Sequence, residues 1–232
     1  MRADRPNRDL WVVLVGLVAL NVLTVAVLDE APAAILQVAV ALGAVAVAVR
    51  LGYGFEELGL STRAAAAGLR LGAALSAAVV GGVIAIAVPP FIRDFLDDER
   101  FVDISGWQVA YEVGFRIPIV TALSEELLFR SVLLAVLLAM TTTRRAVVVS
   151  SLLFGLWHVL VALDDLDENA MTDGLDATGR VFGVLGVIAA TSVGGAVFAW
   201  TRLRSGSIVA PWMLHTTLNG ATFTAGYVLA ST

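Results

Sequence analysis

The sequence predicts an all-α fold: a polytopic transmembrane helical bundle of about seven spans, N-terminus inside and C-terminus outside. Three observations predict it. Hydrophobic residues make up 59% of the 232 residues and charged ones only 15%, against about 45–50% and about 25% in a soluble domain. Mean hydropathy is +0.88, and runs approaching the roughly 20 apolar residues of a membrane helix recur along the chain. The arginines alternate between connections in the way that membrane topology demands.

The spans follow in order. Residues 10–28 form the first apolar run, after a polar start carrying Arg2, Arg5 and Arg8. Ala31-Pro32-Ala33 resembles a signal-peptide cleavage site, but the run exceeds the usual 7–15 or so residues of such a core and a second run follows at once. An uncleaved helix is therefore expected. Span 2 is 33–49 and span 3 is 71–88, the latter ended by Pro89-Pro90. An acidic connection follows, with Asp94, Asp97, Asp98, Glu99 and Asp103. Residues 106–117 are amphipathic, with Glu112 and Arg116 four apart on one helix face. They are expected at the interface or as a half-span before Pro118. Span 4 is 118–140, span 5 is 146–163, span 6 is 181–200 and span 7 is 207–229. A second acidic connection, starting at Asp164, separates spans 5 and 6.

With the N-terminus inside, the inner segments hold Arg2, Arg5, Arg8, Arg50, Arg63, Arg70, Arg144, Arg145, Arg202 and Arg204. The outer segments hold only Arg93, Arg100 and Arg180. That bias sets the orientation. The chain reads as a single integral-membrane domain, 1–232, with a motif-bearing core at about 106–230, in the cell membrane. Cysteine is absent, which excludes disulfides, thiol nucleophiles and cysteine zinc sites. The expected partners are the lipid bilayer and a peptide or protein substrate, and no nucleic acid is expected.

Three polar constellations remain inside the spans: Glu125, Glu126 and Arg130; Phe154 and His158; His215 and Asn219. Charges at a helix centre cost about 2.5–3.5 kcal/mol each on insertion scales, so they mark function. Glu126 and Arg130 are i,i+4 and pair directly. Glu125 lies about 100° round the helix and points elsewhere. His215 and Asn219 share one face, and Phe154 sits one turn before His158. At about 1.5 Å per residue from the inner ends, Glu125 lies about 22 Å up, His158 and Asn219 about 20 Å and His215 about 14 Å. Each group has a bland reading: a structural brace for Glu126 and Arg130, interhelical hydrogen bonds for the histidines and Asn219, packing for Phe154. The glycine pairs Gly81-Gly82 and Gly194-Gly195 read as close helix packing. The joint occurrence at similar depth is what favours a site.

At these residues the sequence resembles the CPBP intramembrane glutamic endopeptidases, which include the type II CAAX prenyl endopeptidases and bacteriocin-processing or immunity relatives. Their three motifs, E-E-x-x-x-R, F-x-x-x-H and H-x-x-x-N, stand here as Glu125-Glu126 to Arg130, Phe154 to His158 and His215 to Asn219. Ser131 stands where many relatives have Gly. The resemblance implies proteolysis within the membrane without a cofactor. Glu125 and His158 would activate a water, and His215 and Asn219 would stabilise the oxyanion. Glu126, Arg130 and Phe154 would support them. A prenylated tripeptide, a leader peptide and a membrane-anchored protein all stand as substrates. One alternative is a zinc protease with Glu125, His158 and His215 as ligands. Another is a non-catalytic immunity, scaffold or transport protein.

Overall fold

The computed structural model describes residues 5–87, 104–168 and 177–231. All regular structure among them is helical. Helix α1 spans Arg5–Val22 and runs on through a π-helical turn, Leu23–Val27, before the chain reverses at Leu28. Helix α2 is Glu30–Arg50 and α3 is Ala65–Ala87. Helix α4 covers 106–140 as one unbroken run. Helix α5 is Thr143–Trp157, α6 is Val159–Glu168, α7 is Ala177–Ser205 and α8 is Val209–Ala230.

Five stretches are long and apolar enough to cross a membrane: Asn7–Val27, Glu30–Arg50, Thr62–Ile86, Thr143–Leu163 and Ala177–Ser205. They correspond to expected spans 1, 2, 3, 5 and 6. Expected spans 4 and 7 are helices too, α4 and α8, but they are not among the five. The reason is chemical: α4 carries Glu125, Glu126 and Arg130, and α8 carries His215 and Asn219. The Pro89-Pro90 stop and the acidic stretch from Asp94 to Asp103 lie outside the described residues. The second acidic stretch begins inside α6, which continues to Glu168, and its later part, Asp173 and Asp176, also lies outside them.

One expected boundary needs correction. Pro118 does not separate a short interfacial piece from a span. The chain is π-helical over Glu112–Leu123, with Pro118 inside, and a widened turn tolerates the ring and the missing N–H. The Pro118 carbonyl also accepts a bond from Trp212 Nε1 of α8 at 2.8 Å. Span 5 stands as one stretch, Thr143–Leu163, with an internal break at His158 between α5 and α6.

Helix α4 is the hub. Residues 124–137 are all buried, with Leu127, Leu128, Phe129, Leu133, Leu134 and Leu137 in the main apolar core. Helix α3 lies against α8 at close range: Gly68 faces Ser207 and Val209, and Gly72 faces Met213 and Ala210. Helix α5 lies against α7, where Gly155 meets Ser192 and Ile188. The 51–61 loop is tied to the junction of α7 and α8. Arg202 donates to the carbonyls of Glu56 and Glu57 at 3.2 and 2.8 Å, and Ile208 N–H donates to Gly59 O at 3.0 Å. Gly59 has φ +70, and the Arg202 side chain occupies the place a Cβ would need, so glycine is required there.

Candidate active site

The middle of α4 is π-helical again over Glu126–Leu133, with Glu125 at the junction of the two π segments. Such segments recur at functional sites. Their wider turn reduces the angle between successive residues. Glu125 and Glu126 therefore diverge less than α-helical geometry predicts, and both reach the same partner on α8. His215 Nδ1 lies 3.0 Å from Glu126 Oε1, and His215 Nε2 lies 3.8 Å from Glu125 Oε2. The first distance is a hydrogen bond; the second is too long for one. Glu126 thus faces His215 as well as Arg130, a contact added to the expected ion pair.

Arg130 is fully buried, with Nη1 3.5 Å from Glu126 Oε1. None of its three nitrogens has a hydrogen-bond partner among the described residues. Aromatic faces hold it instead. The guanidinium carbon stands 3.9 Å from the centre of the Phe154 ring, 5.2 Å from Phe198 and 5.7 Å from Phe129. Desolvated cation–π contacts of this kind contribute about 2 kcal/mol. That offsets part of the several kcal/mol lost when an ion leaves water. Glu125, Glu126 and Arg130 together carry one formal negative charge. A proton on each nitrogen of His215 would bring this buried set to zero.

Phe154 therefore does more than pack beside His158. Its ring meets His158 edge to face at 4.7 Å, lies 5.9 Å from His215 and carries Arg130. Phe198 of α7 stacks on His215 at 4.7 Å with 20° between planes. Gly195, one turn earlier, lets α7 approach: a Cβ there would meet Phe154, Arg130 and Ser151 at 3.1–3.2 Å. The close-packing reading holds for Gly195. Gly81, Gly82 and Gly194 face nothing within 4 Å among the described residues.

His158 stands at the break between α5 and α6, half-buried, with φ −87 and ψ 2. Its Nδ1 lies 2.8 Å from the Phe154 carbonyl. A carbonyl only accepts, so Nδ1 carries the proton and Nε2 is left as a free acceptor. Asn219 is half-buried one turn beyond His215. Neither residue makes a hydrogen bond or ion pair with Glu125 among the described residues. Of the expected set, the structure thus brings together Glu125, Glu126, Arg130, Phe154 and His215. His158 joins them through Phe154, and Asn219 through its place on α8. No three His, Asp or Glu side chains gather as a metal-holding group among the described residues.

The sequence reading missed Trp157 and Phe198. Trp157 Nε1 donates to Glu125 Oε1 at 3.1 Å, while Glu125 Oε2 is buried with no hydrogen-bond donor among the described residues. The signal for Trp157 was its spacing: three residues after Phe154, it shares that residue's helix face. Phe198 lies in an apolar run that offers no such signal.

A family model described as type II CAAX prenyl endopeptidase, Rce1-like, matches residues 107–221. That stretch contains every one of the seven expected site residues. No curated protein and no solved structure matches the chain.

Proposed function

Because the chain belongs, through residues 107–221, to the Rce1-like type II CAAX prenyl endopeptidase family, we propose that it is a glutamic-type intramembrane endopeptidase. Its substrate class is a peptide or protein held in the membrane. In this reading Glu125 is the general base, taking a proton from the attacking water through Oε2. Burial and the absence of a competing donor suit that atom to the task. His158 holds the same water through Nε2, and the proton that Glu125 takes passes to the leaving amine as the C–N bond breaks. His215 Nε2 and the Asn219 amide donate to the developing oxyanion, where one well-placed donor contributes about 2.7–4 kcal/mol. Glu126 orients His215, and Arg130 balances the charge of the carboxylate pair. The observation that carries the reading is the placement of Glu125 Oε2 beside His215 Nε2 at 3.8 Å, inside the segment that the family model covers.

The finer topology belongs to the same proposal. A single domain crosses the cell membrane about seven times, N-terminus inside and C-terminus outside. Helices α4 and α8 cross within a shell of the more apolar helices. A prenylated peptide with a CAAX-type C-terminus is the first substrate to try. Hydrolysis requires no metal here, so chelators leave the rate unchanged.

The test is purified protein in lipid vesicles given that peptide, with Glu125→Ala as the comparison. The expected result is cleavage by the parent and none by the folded variant. Cleavage that persists in Glu125→Ala, or that is lost to a chelator and restored by zinc, would overturn the mechanism.

A further inference from the structure

We infer that Asn21, on α1 and far outside the family-matched segment, is a positioning residue that fixes the candidate base Glu125 through Trp157; this rests on the reading of Glu125 proposed above. Asn21 is buried in the last turn of α1, where an otherwise apolar run passes into the π-helical turn. Its Nδ2 donates to the Trp157 carbonyl at 3.0 Å, across 136 positions of sequence. That carbonyl needs a partner for a local reason. Trp157 is the last residue of α5, and the chain breaks at His158, so carbonyls in the final turn lose their intrahelical donors. A buried carbonyl left unpaired is costly, and the Asn21 amide supplies the missing donor.

The same residue then reaches the site with its side chain. The indole is buried, packs edge to face on Phe129 at 5.6 Å and donates Nε1–H to Glu125 Oε1 at 3.1 Å. That is the only hydrogen bond given to the Glu125 carboxylate among the described residues. A donor on one carboxylate oxygen fixes the side-chain rotamer and leaves the other oxygen for the water. The chain of contacts is thus Asn21 amide, Trp157 backbone, Trp157 indole, Glu125 carboxylate. A helix outside the matched segment would complete the site.

The indole itself is the reporter. The protein has five tryptophans, and the Trp157 indole N–H resonance is assigned by its loss in Trp157→Phe. In the full-length protein in detergent, Glu125→Gln should move that resonance upfield, and Asn21→Leu should move it in the same direction. In vesicles with the cleavable peptide, Asn21→Leu should lower kcat roughly tenfold with little change in KM, as expected for a displaced reacting group. The double variant Asn21→Leu with Trp157→Phe should be no slower than Trp157→Phe alone. Asn21→Ala serves where the leucine prevents folding. An indole resonance that responds to Glu125→Gln but not to either Asn21 variant, or losses that multiply in the double variant, would overturn the inference. Full cleavage by Glu125→Gln, with the indole still responding to both changes, would overturn the catalytic reading alone and leave the positioning contact standing.

Discussion

Helix α4 and helix α3 answer to opposite rules. Residues 124–137 of α4 are all buried, and they include Glu126 and Arg130, both at 0% exposure. Helix α3 carries only Arg70 as a charge among Ala65–Ala87, yet it leaves Leu69, Val80, Ile84 and Ile86 exposed. In a water-soluble protein the pattern would run the other way. Here apolar surface faces outward and charge is enclosed by protein. The charged helix is tolerable because each charge meets a partner chosen from other helices: His215 from α8, Trp157 and Phe154 from α5, Phe198 from α7. The apolar helices need no such partners, so their sequences specify less.

The comparison can be broken at its charged end. Arg130→Leu removes the cation that faces Glu126 and leaves the carboxylate pair buried without its balance. The expected cost is about 3–5 kcal/mol, read as a lower unfolding midpoint in detergent and a lower yield of folded protein. Parent-like stability would show that the pair is not braced by charge. At the apolar end, Val80→Asp places an unpartnered carboxylate on the exposed side of α3. Insertion scales put the cost at about 2.5–3.5 kcal/mol, to be seen as a smaller membrane-inserted fraction. Equal insertion would mean that this face does not meet lipid.

Two neighbouring glycines sharpen the contrast at smaller amplitude. Gly195→Ala puts a methyl group against Phe154, Arg130 and the Ser151 backbone, and overpacking of this kind costs about 1–3 kcal/mol. Gly194→Ala meets nothing among the described residues and should gain the helix-propensity difference of about 0.5–1 kcal/mol. Opposite signs of the midpoint shift check the assignment of the two faces of α7.

Much of this was legible in the sequence, for reasons that differ by residue. The five apolar helices follow from composition and length alone. Glu125, Glu126, Arg130, His158, His215 and Asn219 stand out because hydrocarbon penalises them. What periodicity could not supply was the π-helical geometry of α4, which a 3.6-residue period does not encode. For that reason the shared approach of Glu125 and Glu126 to His215 is not legible from spacing. Nor could it supply Pro118's tolerance, which depends on that geometry. Asn21 carried a usable signal, a lone amide in an apolar run. Its partner is a backbone carbonyl on another helix, and backbone partners leave no mark in side-chain patterns.

The central claim is that the adjacent carboxylates divide into a base, Glu125, and a support, Glu126. The most direct measurement is the cleavage rate per folded molecule for Glu125→Gln and Glu126→Gln side by side. A glutamine at 126 still offers an oxygen to His215 Nδ1–H, whereas a glutamine at 125 cannot take a proton. The expected loss is about 10²–10⁴-fold for Glu125→Gln with the fold retained. For Glu126→Gln lowered stability is expected with most of the activity kept. A stable, inactive Glu126→Gln beside an active Glu125→Gln would contradict the central claim.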